Sequence, residues 1–123
     1  MDHVMNKVLY GLILVTLYFC LASCKHNESS STYVKVYKSD GSTQCNNDGT
    51  PPDVMISELT NAGIDVVCSE TGSDGLIRPA VCGGSTGKLN VYKIYKVNLV
   101  DAQKLGFEPL SNLDNYISSQ DCK

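Results

Sequence analysis

The apolar positions fall into one continuous block, followed by several short periodic ones. The block comes first: Val8 to Cys20, VLYGLILVTLYFC, is almost wholly apolar, with Lys7 before it and Leu21-Ala22-Ser23-Cys24 after it. A membrane-spanning helix needs roughly 20 apolar residues, so the run is short for a span. It has the length of a secretory signal core, roughly 7–15 residues. Asp2 is unusual in the leading region of a signal, whereas Met5-Asn6-Lys7-Val8 reads as an ordinary signal opening, so Met5 is a second candidate start.

Past the block the periods shorten. Tyr33 to Lys38, YVKVYK, alternates and is rich in strand formers. Asp40-Gly41 is a hairpin turn signal, and Thr43-Gln44-Cys45 is expected to return beside the first strand. Thr50 as cap, Pro51 at the first helical position and Asp53 three residues after the cap open a helix. Its Ile56, Leu59 and Ala62 share a face at helical spacing. Gly63 is its left-handed stop, with Ile64 folding back onto Leu59. Asp65–Ser69 reads as a strand, 71–75 as a turn, and Leu76–Cys82 as a second strand made irregular by Pro79. After a turn at 83–87, Lys88–Val97 is the clearest strand, with a bulge expected where alternation slips between Val91 and Tyr92. Asn98 and Asp101 open a short second helix that Gly106 stops before Phe107. Residues 108–123 read as an irregular polar tail. The sum is an α+β fold: a small, mostly antiparallel sheet with two short helices on one face.

Charge narrows the picture. Ten Lys and Arg stand against thirteen Asp and Glu, a net charge of −3. Removing residues 1–23 takes away one acid, Asp2, and one base, Lys7, so the balance is unchanged. No basic patch points to nucleic acid.

The four residues Leu21-Ala22-Ser23-Cys24 resemble the lipobox of bacterial lipoproteins. The resemblance implies that residues 1–23 are a lipoprotein signal peptide and that cleavage falls just before Cys24. It also implies that the Cys24 thiol carries a diacylglycerol and its freed amine commonly a further acyl chain. Each buried CH₂ contributes about 0.8 kcal/mol, so two or three chains hold a protein at a membrane without a span. The alternatives are an ordinary secretory signal with an incidental cysteine and an uncleaved membrane anchor. Residues 24–31 then form the lipidated cysteine and a polar tether, and 32–123 a single small domain. Lys25-His26-Asn27-Glu28-Ser29-Ser30-Ser31 reaches at most about 25 Å. Lys25 stands where, in enterobacterial lipoproteins, an aspartate favours the inner membrane, so the resemblance implies the outer membrane, facing the periplasm.

With Cys20 leaving and Cys24 lipidated, Cys45, Cys68, Cys82 and Cys122 remain. Four cysteines in a small exported domain read as two disulfides. Three connectivities are possible, including a Cys68–Cys82 bridge across a hairpin centred on Gly75. The favoured one joins Cys45 to Cys82, with Cys68–Cys122 pinning the tail. No pair has zinc-finger spacing and no histidine lies in the domain, so neither a metal nor another cofactor is expected.

Catalytic patterns are sparse. His26, in the tether, is the only histidine after residue 23, which excludes a Ser-His or Cys-His pair within the domain. Gly83-Gly84-Ser85-Thr86-Gly87-Lys88 fails as a phosphate loop: the spacing is short, Leu89 replaces the hydroxyl residue, and a strand follows instead of a helix. Asp40, Asp48 and Asp74 lack the rhythm of a calcium loop and read as turn formers. VKVYK (34–38) and VYKIYK (91–96) interleave tyrosine with lysine. Tyr37, Tyr92 and Tyr95 are thus a candidate patch for stacking on sugars or meeting anionic polymers. The plainer reading is two neighbouring strands with cross-paired polar faces.

Two further resemblances bear on function. YVKVYKSDGSTQC, a helix ending AGI, and DVV are together similar to the opening β-α-β of a glutaredoxin, which would make Cys45 a nucleophile. The C-x-x-C pair of that family is missing here. DGSTQC (40–45), PAVCGGSTGKLNVYKI (79–94) and AQKLGFEPLSNL (102–113) resemble a group of uncharacterised small bacterial exported domains that brings no activity with it. The expectation is a lipid-anchored, non-enzymatic binding module for an envelope protein or polymer. One alternative is a small periplasmic hydrolase inhibitor with an ordered exposed loop, at Ser69–Leu76 or Gly83–Gly87. The other is a glutaredoxin-like redox protein.

Overall fold

The computed structural model describes residues 31–122 and Lys7. The expected signal peptide, Cys24 and the tether up to residue 30 lie outside the described residues. No helix among those described is long and apolar enough to cross a membrane. The elements run β1 (Tyr33–Ser39), α1 (Pro52–Thr60), β2 (Val66–Ser73), β3 (Lys88–Tyr95), a 3-10 turn (Lys96–Asn98), α2 (Leu99–Lys104), β4 (Glu108–Pro109), a second 3-10 turn (Leu110–Asn112) and β5 (Ile117–Gln120).

The strands form one antiparallel sheet in the order β4-β1-β3-β2-β5. β1 and β2 each pair with β3, so they run parallel to each other with β3 between them. With the 3-10 turn left aside, the first six helices and strands thus follow the split β-α-β, or ferredoxin-like, order, with β4 only two residues long and β5 added beyond β2. The expected α+β class holds.

Both helices pack on one face. Val36 of β1 and Tyr92 and Ile94 of β3 meet Met55 and Leu59 of α1, then Ile64, Ala102 and Phe107. Burying a side chain of this size contributes roughly 1.5–3 kcal/mol. The Tyr92 and Phe107 rings meet edge to face with centroids 5.9 Å apart, the arrangement that ring quadrupoles favour. The buried face of α1 is Met55, Ile56 and Leu59, and the expected Ala62 is exposed. One turn separates Met55 from Leu59, whereas Ala62 already lies in the exit turn.

The helix ends explain why this face closes. Ile64 N–H donates to Leu59 C=O and Gly63 N–H to Thr60 C=O, each at 3.0 Å, with Gly63 at φ +78°. This is a Schellman ending, and it folds Ile64 into the core beside Leu59. α2 ends alike: Phe107 N–H donates to Ala102 C=O at 3.1 Å, past Gly106. The helix starts differ from expectation. Neither Thr50 nor Asn98 supplies a side-chain cap bond. Thr50 is instead spent on the loop, donating its backbone N–H to Asp40 C=O at 2.7 Å.

Three strand expectations need correction. Thr43–Cys45 does not return beside β1, because β3 and β4 occupy both flanks of β1; Thr43 bridges Ser85 instead. Leu76–Cys82 is not a strand: β2 runs on to Ser73, and the chain from 74 to 84 forms a loop. The register shift beside β3 lies on β2, between Val66 and Cys68, and not at Val91 and Tyr92. Alternation fades in β3 because both its faces are covered: Asn90, Tyr92 and Ile94 look toward the helices, and Leu89 and Val91 are buried on the other side.

The tail also departs from its expected irregularity. β4 lies beside β1 and β5 beside β2, so residues 110–116 carry the chain from one edge of the sheet to the other. At the end of this strap, Tyr116 lies on the helix-free face, where its hydroxyl reaches Glu70. The Cys68–Cys122 disulfide then ties the tail to β2, and Cys45–Cys82 ties the 40s loop to the 80s loop, with Cα atoms 5.4 and 5.1 Å apart.

Candidate functional site

The proposed tyrosine patch is split by the sheet. Strand register puts Tyr33, Lys35 and Tyr37 on the same face as Val91, Lys93 and Tyr95. Tyr92 projects from the opposite face. It is fully buried, its hydroxyl donates to Pro52 C=O at 2.7 Å, and burial pushes its phenol above the ordinary value. Tyr92 therefore leaves the patch. Tyr37 is half-buried and Tyr95 is exposed. Tyr95 pairs with a residue the sequence reading passed over, Tyr33: their rings are 5.0 Å apart, and Lys93 Nζ lies 4.9 Å from the Tyr33 ring centre. Cross-strand position was the missing signal, since Tyr33 and Tyr95 meet only once β1 is registered on β3. What remains is one aromatic pair with one cation at the end of the sheet.

A cleft of about 550 Å³ opens between the 40s loop and the ends of β2 and β3, lined by Asp40, Ser42, Thr71, Lys88 and Asn90. Several of its polar groups are engaged within the protein. Asp40 Oδ1 accepts from Ser42 N–H and from its hydroxyl, and the Asn90 amide donates to Thr50 C=O.

The most developed surface feature is the loop from Asp74 to Cys82. Leu76, Ile77 and Val81 stand exposed on it, Ile77 completely, at 102 % of its reference area. Exposed apolar groups on a small domain are ordinary when scattered. These three lie within six positions on one loop, and the loop is braced from inside. Asp74 Oδ1 accepts from Leu76 N–H at 3.1 Å and from Arg78 Nη1 at 2.7 Å, and its other oxygen pairs with Arg78 Nη2. The hydrogen bonds and charge of Arg78 hold the Asp74 carboxyl below its ordinary value, while Asp74 raises Arg78. The ion pair packs against Gly87, where any Cβ would overlap the guanidinium.

On the far side of the loop, one side chain does most of the bracing. Gln44 Nε2 donates to Pro79 C=O at 3.1 Å and to Ser85 C=O at 3.3 Å, while Gln44 Oε1 accepts from Val81 N–H at 3.0 Å. Its backbone joins in: Gln44 N–H donates to Gly84 C=O at 2.8 Å, and Gly83 N–H donates to Gln44 C=O at 2.9 Å. The neighbouring Cys45–Cys82 disulfide fixes the same junction covalently. No hydrophobic period marks this loop in the sequence, because its partners are a lone glutamine and an ion pair of i,i+4 spacing without a helix.

The three aspartates singled out in the sequence are turn formers. Asp40 and Asp74 each accept the N–H two residues on, and Asp48 accepts from Thr43 N–H and hydroxyl. Among the described residues no group of His, Cys, Asp and Glu is placed to hold a metal ion. Cys45, the residue of the glutaredoxin resemblance, is bonded to Cys82 at a separation of 37 residues.

No protein-family model matches the chain, and no curated protein or solved structure matches it either.

Proposed function

We propose that the protein is a lipid-anchored envelope protein whose domain is a non-enzymatic binding module, with the 74–82 loop as its protein-contacting surface. Cys24 is the anchored residue, and the outer membrane facing the periplasm is the proposed location. The observation that supports the binding reading is the braced loop. Three exposed apolar side chains sit on a backbone held by an ion pair, a glutamine and a disulfide. A surface ordered before it meets a partner loses less conformational freedom on binding, which is what preorganisation contributes to affinity. The Tyr33–Tyr95 pair is the smaller candidate, suited to an envelope polymer through stacking.

The test has two parts. Intact mass of the protein from its native membrane should show a chain beginning at an acylated Cys24, and Cys24→Ser should release it from the membrane fraction. A photo-crosslinking residue in place of Ile77, in producing cells, should capture a discrete partner. One placed at Ser118, exposed on β5, should not. Equal labelling at both positions, or none at Ile77, would remove the loop from the reading.

A further inference from the structure

We propose that the 74–82 loop enters the active-site cleft of an endopeptidase that works through an acyl-enzyme, presenting Leu76 to an apolar specificity pocket and thereby blocking the enzyme. This rests on reading the loop as the contact surface, and it names the partner.

A braced loop with exposed apolar side chains offers them outward to a partner. Its complement is a concave cleft with an apolar pocket, the ordinary form of a substrate site. Leu76 and Ile77 are adjacent on this loop and both exposed, Ile77 completely, with Val81 exposed to the same degree as Leu76 five residues on. The bond after Arg78 precedes Pro79, a position where peptidases cleave poorly, and Leu76–Ile77 joins the two adjacent exposed apolar residues, so it is the bond assigned to the attack.

The decisive point is what happens if that bond is attacked. The enzyme's hydroxyl or thiol adds to the Leu76 carbonyl, the Ile77 nitrogen leaves with a proton as a free amine, and Leu76 is held as an acyl-enzyme. In an ordinary substrate the amine diffuses away and water takes its place. Here both sides of the cut stay where they were. On the acyl side, Leu76 N–H is held by Asp74 at 3.1 Å. On the amine side, Arg78 is held by the same carboxylate, Pro79 and Val81 are held by Gln44, and Cys82 is bonded to Cys45. The Ile77 amine therefore remains beside the acyl carbon. It can attack again, expel the enzyme's nucleophile and restore the peptide bond, with no net consumption of water. High effective concentration of a held group is what makes such a return fast.

The covalent frame reinforces this. The disulfides interleave: Cys68 lies inside the Cys45–Cys82 ring, and Cys82 lies inside the Cys68–Cys122 ring. The Leu76–Ile77 bond lies inside both rings. A cut there leaves the chain in one piece, with its two ends joined by either disulfide alone.

The experiment uses the full chain purified in detergent, titrated against chymotrypsin-, elastase- and subtilisin-type enzymes with small chromogenic substrates. We expect competitive inhibition of at least one, weakened about a hundredfold or more by Leu76→Asp, in the range of an interface hot spot. Ile117→Asp, at an exposed apolar residue on β5, should leave inhibition unchanged. Mass spectrometry of the complex should show intact chain together with chain cut only at Leu76–Ile77. Rapid turnover of the loop as a substrate, or no inhibition of any of the three, would overturn the proposal. The Ile77 crosslink separates the two readings. A captured protein that is not a peptidase would leave the binding module standing and remove the peptidase. An absence of both crosslink and inhibition would remove both.

Discussion

The hydroxyl of Tyr116 donates to Oε1 of Glu70 at 2.9 Å, while Lys35 Nζ donates to Oε2 of the same carboxylate at 2.7 Å. Glu70 is 3 % exposed, on the sheet face away from the helices. A buried carboxylate is tolerated only when its oxygens are answered, and here strap and sheet answer one oxygen each. Glu70→Ala should cost about 1–3 kcal/mol, the desolvation cost of unpaired buried partners. Lys35 is partly exposed and can return to water, which keeps the loss below that of a fully buried pair. Urea unfolding with the disulfides intact measures it, and an unchanged midpoint would remove Glu70 as the strap's fastening.

The same contact predicts an alkaline weakness. Burial, then the bond to Glu70, push the Tyr116 phenol from 10.0 up to about 12. A group whose folded value is raised stabilises the fold fully below its unfolded value, and that stability is lost as pH rises through the folded value. Stability should therefore fall between about pH 10 and 12. In Tyr116→Phe the fall over that window should be shallower, which unfolding curves at stepped pH would show.

Acid should act on the loop instead. Asp74 is held below its ordinary 3.8 by the Arg78 side chain. Its contribution is present above that ordinary value and is lost as pH falls through the lower folded value. The Leu76 amide, bonded to this carboxylate, should lose hydrogen-exchange protection in acid while the β3 amides keep theirs. Asp74→Asn should loosen the same amide at neutral pH. Equal loss in loop and sheet would mean that the loop has no local brace.

Removing the loop's staple reaches further. Cys45→Ser with Cys82→Ser frees a 37-residue separation, for which chain-entropy arguments give about 3–4 kcal/mol. Thermal unfolding should register the loss, and resonances of Leu76 to Val81 should broaden or sharpen away from those of the sheet.

At the end of α1, Gly63→Ala forces a Cβ into backbone at φ +78° with open space around it. The cost should come from conformation alone, about 1–2 kcal/mol. A neutral result would show that the Schellman turn can be relaxed without loss.

The parts of this fold legible in the sequence are those written in adjacent residues. The helix ends at Ala62-Gly63-Ile64 and Leu105-Gly106-Phe107 were legible because a left-handed glycine followed by an apolar residue has one local meaning. β1 and β3 were legible from their β-branched and aromatic content. The disulfide pairing was legible only as a preference among three. Asp40-Gly41 misled because it does make a turn, but which strand pairs with β1 is settled by residues 50 to 62 positions away, from Ser39↔Leu89 to Tyr33↔Tyr95. Tyr92 misled for a related reason. Alternation assigns a residue to a face only when one face is dry, and in β3 both are. The bracing of Leu76 to Val81 had no signature at all, since Gln44 reaches the loop by a contact across 35 and 37 positions.

The central place of β3 has a consequence for how the chain becomes a protein. β1 is made first, yet both its neighbours, β3 and β4, lie beyond residue 87. No strand of the sheet has a partner until residues 88–95 arrive, and closing so long a loop carries an entropic cost. A chain delivered amino end first therefore has no paired strand of this sheet among residues 31–87 until β3 arrives. Over residues 31–87 a narrow passage meets no paired strand of the sheet, and the chain gains its resistance to being drawn back only when the central strand emerges.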